Sequence, residues 1–174
     1  MEIPSEIMTK IERFCAYQER CENDVRKKLT SFRLSGSQED AIIKSLRENN
    51  FLNDERFVEV FVRSKVKAGW GVQKIVAALR AKRIPAELID QAYAQIPADD
   101  YQGKLHDAIA KWRRSHPDEP AKSPKLVRHL LSKGFRMEEA LPQLEMRPSS
   151  NAPNPVESRE APPTSSFPDF SEPP

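Results

Sequence analysis

Cysteine is almost absent. Cys15 and Cys21 are the only two among 174 residues, too few for a disulfide framework and without the spacing of a metal site. They read as reduced helix cysteines. Glycine is also scarce: five glycines against 15 prolines exclude a collagen-like chain. No stretch approaches the ~18 apolar residues of a membrane span, so no membrane partner is expected. The first residues, Met1-Glu2-Ile3-Pro4-Ser5-Glu6, are acidic where a secretory signal is basic and then apolar. A cytoplasmic protein is expected. Strand signals are missing, with no sustained alternation and few Thr or Tyr. The chemistry of enzymes is missing too. His106, His116 and His129 lack the i, i+4 spacing of a zinc helix. There is no Gly-rich phosphate loop and no Gly-x-Ser-x-Gly elbow. The acid pairs Asp99-Asp100 and Glu138-Glu139 suit helix starts, where they face the positive end of the helix dipole. The expectation is a non-enzyme with no catalytic residue, metal or cofactor.

What is present is helical periodicity, charge and proline at one end. Eight of the prolines fall in 148–174, beside four acids, one base (Arg159) and two aromatics, Phe167 and Phe170. Such a segment buries too little apolar surface to offset the entropy of ordering it, so a disordered tail with extended polyproline stretches is expected. Phe167-Pro168-Asp169-Phe170 is a candidate docking motif within it. Upstream, apolar residues recur every three to four positions, as in Ile7, Ile11, Phe14 and in Phe57, Phe61. Start signals separate the runs. Ser37 with Asp40 reads as an Asp variant of the capping box. Asn53 ahead of Asp54-Glu55 reads as an N-cap, and Ser123-Pro124 as a cap with proline in the first turn.

Three segments align. Val25 to Leu34, Ile75 to Ile84 and Leu126 to Phe135 each carry apolar residues at offsets 0, 4 and 9, and their starts lie 50 and 51 residues apart. Each is preceded and followed by another helical stretch. A unit of about 50 residues buries little core alone, and stacking such units gives an extended body. The expected fold is all-α: three tandem three-helix repeats in an elongated curved array, over 1–52, 53–98 and 99–147, with the tail at 148–174. Phe57, Phe61, Ile75 and Leu79 are expected in the core of the middle repeat.

Charge concentrates in that repeat. No acid occurs between Glu59 and Glu87, while Arg63, Lys65, Lys67, Lys74, Arg80, Lys82 and Arg83 do. Arg63 and Lys67 share a helix face. Trp70 sits between Gly69 and Gly71. A cationic stripe around an aromatic suits phosphates with some stacking and equally an acidic protein surface. The plainer alternative is a solvated helix face with Trp70 folded inward. These eight residues are the contact candidates.

Leu52-Asn53-Asp54-Glu55-Arg56-Phe57-Val58, followed by Phe61-Val62-Arg63-Ser64, resembles the signature of the RecX family, bacterial regulators of the RecA recombinase. Gly69-Trp70-Gly71-Val72-Gln73-Lys74-Ile75, running through Leu79 to Lys82-Arg83-Ile84, is similar to the family's next helix. The resemblance extends from residue 5 to about 146 and leaves the tail outside. Signature positions are Leu52, Asn53, Asp54, Arg56, Phe57 and Phe61. Asn53 replaces the first acid of the family's pair, Val58 a small alanine, Cys21 a serine cap, and Arg83 a helix-ending glycine. The resemblance implies a three-repeat helical array that binds the RecA filament on single-stranded DNA along its groove. It implies suppression of the ATPase, strand-exchange and coprotease activities of RecA, in the setting of DNA repair and recombination. Some members also bind DNA directly. A monomer is expected. The alternative is a sequence-neutral, helix-turn-helix-like DNA-binding protein, and a third reading makes the tail the recruiting element.

Overall fold

The computed structural model describes residues 3–145. The expectations for the tail at 148–174, including its phenylalanine motif, lie outside the described residues. Among the described residues there are nine α-helices and no strand. They are α1 (Ser5–Tyr17), α2 (Glu22–Leu29), α3 (Gly36–Glu48), α4 (Asp54–Lys67), α5 (Val72–Ala81), α6 (Ala86–Ala94), α7 (Ala98–Ser115), α8 (Pro124–Lys133) and α9 (Met137–Glu145). A single 3₁₀ turn, Thr30–Phe32, extends α2. No described helix is long and apolar enough to cross a membrane.

The starts follow side-chain chemistry. The Asn53 side chain accepts the Arg56 N–H at 2.9 Å and opens α4. Ser123 accepts the Lys125 N–H at 3.2 Å, with Pro124 in the first turn of α8. The cap of α3 differs from the expectation. Ser35, not Ser37, begins the helix, and its partner is Gln38, not Asp40. The Ser35 hydroxyl accepts the Gln38 N–H (3.3 Å) while the Gln38 side chain accepts the Ser35 N–H (3.0 Å). A Gln box satisfies two otherwise orphaned donors. Asp40 is thereby free to pair with Arg26 at 2.9 Å.

The ends carry the repeat in the backbone itself. Arg33 (φ 52), Arg83 (φ 61) and Gly134 (φ 89) are left-handed, and their spacings reproduce the 50 and 51 of the apolar alignment. Behind Arg83 and Gly134 the chain closes in the same way. The Ile84 N–H donates to the Leu79 carbonyl (3.2 Å) and the Phe135 N–H to that of Leu130 (3.1 Å). This six-to-one bond absorbs an end carbonyl and turns the next apolar residue inward. Arg83 therefore adopts the glycine-like conformation itself, at a cost of about 1 kcal/mol. Lost exposure of Ile84, now buried, offsets it.

Three apolar clusters result. Ile11, Val25, Leu29, Ile42, Leu46 and Leu52 form the first. Phe57, Val58, Val62, Ile75, Leu79 and Ile89 form the second. Leu105, Ile109, Leu126, Leu130, Phe135 and Leu144 form the third. Phe57, Ile75 and Leu79 are in the middle core as expected, whereas Phe61 is only partly buried against it. The clusters trade members across their boundaries. Cys21, which precedes α2, is fully buried in the second core. Val72, the first residue of α5, belongs to the third. Each unit thus completes its neighbour's core, the usual requirement of stacked repeats. Both cysteines are free and buried, and Cys21 is a cap-position residue, not a helix-interior one. Burial pushes its thiol up to about 11, which leaves it unreactive.

Candidate functional site

The signature residues of α4 face the first unit. Leu52 closes the first core. Asp54 supplies what Cys21 cannot: Cys21 makes no side-chain cap bond, and the Glu22 N–H donates instead to Asp54 Oδ1 at 3.0 Å. The other Asp54 oxygen accepts from Arg47 at 3.3 Å, and Arg47 also reaches Glu22. Arg56 donates to Glu19, to the Asn50 side chain (3.0 Å) and to the Asn50 carbonyl (3.0 Å). Phe57 and Phe61 pack as a tilted ring pair, 5.6 Å between centroids. The signature is therefore an inter-unit joint, and its polar residues are engaged in assembly.

The contact candidates separate into groups. Lys82 is spent on the same joint. Its ammonium contacts both oxygens of Asp24, at 2.7 and 2.9 Å, with Lys82 28% and Asp24 19% exposed. Trp70 is half-buried against the middle core. Lys74 and Lys65 lie over its ring, at 4.4 and 4.9 Å from the centroid. Both readings of Trp70 were partial: the ring neither stands free for stacking nor sinks into the core. It gathers two cations by its quadrupole. Arg63, Lys67, Lys74, Arg80 and Arg83 are exposed. Among the described residues none of these five makes an ion pair. Arg63 and Lys67 border a hollow of about 320 Å³ between α4 and the α6–α7 turn.

That hollow shares Lys67 and Lys104 with a larger groove, about 730 Å³, whose walls are α7 and α8. Its lining includes Ala68, Ala108 and Trp112 together with Lys104, Lys111, Lys125, Arg128 and Lys133. With Lys67 that makes six cations against one carboxylate, Asp107. Lys125 pairs with Glu119, and Lys104 lies 3.7 Å from Asp107. His116 stacks on Trp112 at 4.2 Å, nearly parallel. His129 is held below the ordinary histidine value by burial first, then by Lys133 and His116. A second set of cations therefore lies in the third unit, beyond the candidates expected from sequence. Helical spacing was the available signal. Lys104, Ala108, Lys111 and Ser115 fall on one face of α7, as Lys125, Arg128, His129 and Ser132 do on α8. Net charge hides this, because the acids of the unit lie elsewhere.

Between the second and third units the joint is made by backbone. The Gly71 N–H donates to the Lys133 carbonyl (2.7 Å) and the Gln73 N–H to that of Gly134 (3.0 Å). A Cβ on Gly71 would lie 2.1 Å from the Gly134 carbonyl carbon. The Val72 N–H donates to the Tyr101 hydroxyl (3.3 Å), which donates to Glu139 (2.9 Å). Burial, with Glu139 adding to it, raises the Tyr101 phenol well above its usual range.

Comparison with known proteins agrees with this architecture. A family profile described as the second three-helix domain of RecX matches residues 53–92, which is α4, α5 and most of α6. The regulatory protein RecX of Clostridium beijerinckii is 30% identical over 123 residues, 68% of this chain and 57% of its own length. The chain thus spans little more than half of that relative. The regulatory protein RecX of Cronobacter sakazakii is 27% identical over 146 residues, 78% of this chain and 88% of its own. The crystal structure of RecX from Lactobacillus salivarius shares the fold with a TM-score of 0.70 at 24% identity, covering 80% of this chain and 95% of that one.

Proposed function

Because this chain belongs to the RecX family, we propose that it is a cytoplasmic, non-enzymatic regulator that binds the RecA filament on single-stranded DNA and inhibits its activities. One observation carries the reading. The signature residues are consumed in holding α4 against the first unit, while Arg63, Lys67, Lys74, Arg80 and Arg83 stay exposed and, among the described residues, without an ion pair. Such a surface suits an acidic protein groove or the DNA within it. Opposite charge speeds encounter, and salt weakens it. Lys82 drops out of the contact set, since its charge is already matched by Asp24.

The test is DNA-dependent ATP hydrolysis by the cognate RecA, with the protein added from substoichiometric to equimolar amounts. Inhibition by the wild type, lost in Arg63→Glu/Lys67→Glu/Lys74→Glu while helix content is unchanged, is the expected result. Full inhibition by that triple variant sinks the assignment of the cationic surface. A second reading, sequence-neutral binding of DNA, is favoured by the six-cation groove between α7 and α8. A gel shift of naked DNA at the same salt separates the two. Firm DNA binding with unchanged ATPase selects the second. Lysine and arginine on these faces read phosphates more readily than base edges, so no sequence preference is expected.

A further inference from the structure

The groove between α7 and α8 has two properties that rarely occur together on an open surface. Its lining carries six cations against one carboxylate, and beside them Ala68, Ala108 and the largely buried Trp112. An occupant that matches both needs acids and a few large apolar side chains. This chain carries such a segment. Residues 148–174 hold Glu157, Glu160, Asp169 and Glu172 against the single base Arg159, with Phe167 and Phe170 flanking Asp169. We infer that the acidic, phenylalanine-bearing segment 148–174 docks intramolecularly into the α7–α8 groove and so restrains the binding surface that the groove shares with Lys67.

Position and reach fit. The described chain ends at Glu145, whose carboxylate contacts the Lys122 ammonium at 2.9 Å. Lys122 lies three residues before Lys125 of the groove rim. Phe167 is 22 residues beyond Glu145, and a chain of 22 residues can readily span about 25 Å. α7, at 18 residues, is about 27 Å long. Tethering raises the effective concentration to the millimolar order, so a contact too weak to survive between separate molecules still fills the groove. The attraction falls with salt, since the rim is exposed. The docking itself stands apart from any partner. Its regulatory consequence rests on the proposed filament-binding role, through competition for Lys67 and its neighbours.

The experiment uses the full chain, isotope-labelled, and compares amide resonances of the wild type with those of Phe167→Ala/Phe170→Ala. Both positions lie outside the described residues 3–145. The expected result is shifts at Ala108, Trp112, His129 and Ser132, none in α1–α3, and a wild-type spectrum that approaches the variant's at about 1 M salt, where screening acts within about 3 Å. Lys111→Glu/Arg128→Glu, both exposed, should move the resonances of Phe167 and Phe170. Groove resonances indifferent to the phenylalanines overturn the inference. So do shifts that vanish on dilution, which would mark contact between copies. An oligonucleotide that shifts the groove when the phenylalanine substitutions do not would assign the groove to a polyanionic partner and overturn it as well. In the RecA ATPase assay the phenylalanine variant should inhibit at a concentration lower by about three- to tenfold, as expected if the tail fills some 70–90% of grooves. Equal potency overturns the regulatory half. Absence of inhibition by either protein would instead count against the filament reading, and the resonance comparison would still decide the docking.

Discussion

Between α1–α3 and α4–α6 the contacts are made largely by charge; between α4–α6 and α7–α9 they are made by backbone. The first joint combines Asp54 with Arg47 and the Glu22 N–H, Arg56 with Glu19 and Asn50, and Lys82 with Asp24. Cys21 is its one deeply buried apolar anchor. The second joint presses Gly71 onto Gly134 and locks both strands of the turn with two amide bonds. Val72 enters the neighbouring core, and Tyr101 bridges to Glu139. Partly exposed ion pairs tolerate rearrangement at small cost, because water and other charges replace a lost partner. Close-packed backbone has no such substitute. The comparison teaches which joint should be compliant and salt-sensitive, the first, and which stiff and salt-insensitive, the second.

The sharpest way to break the contrast is Gly71→Ala. The added carbon would sit 2.1 Å from backbone atoms of Gly134 and Phe135, which have no rotamer to yield. A destabilisation of about 3 kcal/mol and a Tm lower by roughly 6–12 °C are expected in thermal melts followed by circular dichroism. A melt within 2 °C of wild type, about the shift of 1 kcal/mol or less, would show that the joint is softer than its geometry. Next comes Tyr101→Phe, which strands the Val72 N–H. A cost of about 1–2 kcal/mol should appear, with faster hydrogen exchange at Val72 and little dependence on salt. Exchange at Val72 equal to wild type would deny the hydroxyl its bridging role.

Lys82→Met tests the other joint. A loss of about 1 kcal/mol or less is expected, and it should shrink as salt rises. The pairing of Lys82 with Asp24 is measured cleanly by a double-mutant cycle with Asp24→Asn. Coupling that stays constant up to about 1 M salt would erase the distinction between the joints. The smallest effect concerns pH. His129 is neutral more readily when folded than its ordinary value of 6.5 allows. The unfolded chain therefore binds the proton first, and this group's contribution is fully present above pH 6.5 and lost as pH falls through the lower folded value. Titration of the His129 ring by NMR should give a midpoint below 6.5. A midpoint above it would mean that burial, Lys133 and His116 do not govern the ring.

The apolar offsets at 25, 75 and 126 and the caps at Asn53 and Ser123 were legible because they are local. A 3.6-residue period and a side chain within three residues of its partner are written directly in the order of residues. The N-cap expected at Asn53 opens α4 for this reason. The cap of α3 was misplaced because two serines two residues apart offer similar local chemistry, and only the Gln38 side chain decides between them. The cationic stripe was legible as composition but not as surface. Lys82 looks free in sequence because Asp24, its partner, is 58 residues away. The groove cations of α7 and α8 were diluted among acids that the fold turns to other faces.

The order of residues by itself determined an all-α chain, a period of about 50 residues in its apolar pattern, the caps at Asn53 and Ser123, and the resemblance to a family. These depend on backbone preference and near-neighbour contacts, which act within a turn or two of helix. Only the tertiary structure decided what the signature is for, which cations remain unpaired, and how each joint is held. Those outcomes depend on charges and backbone groups brought together from distant parts of the chain. Their energies arise at contact distance, after folding has chosen the neighbours.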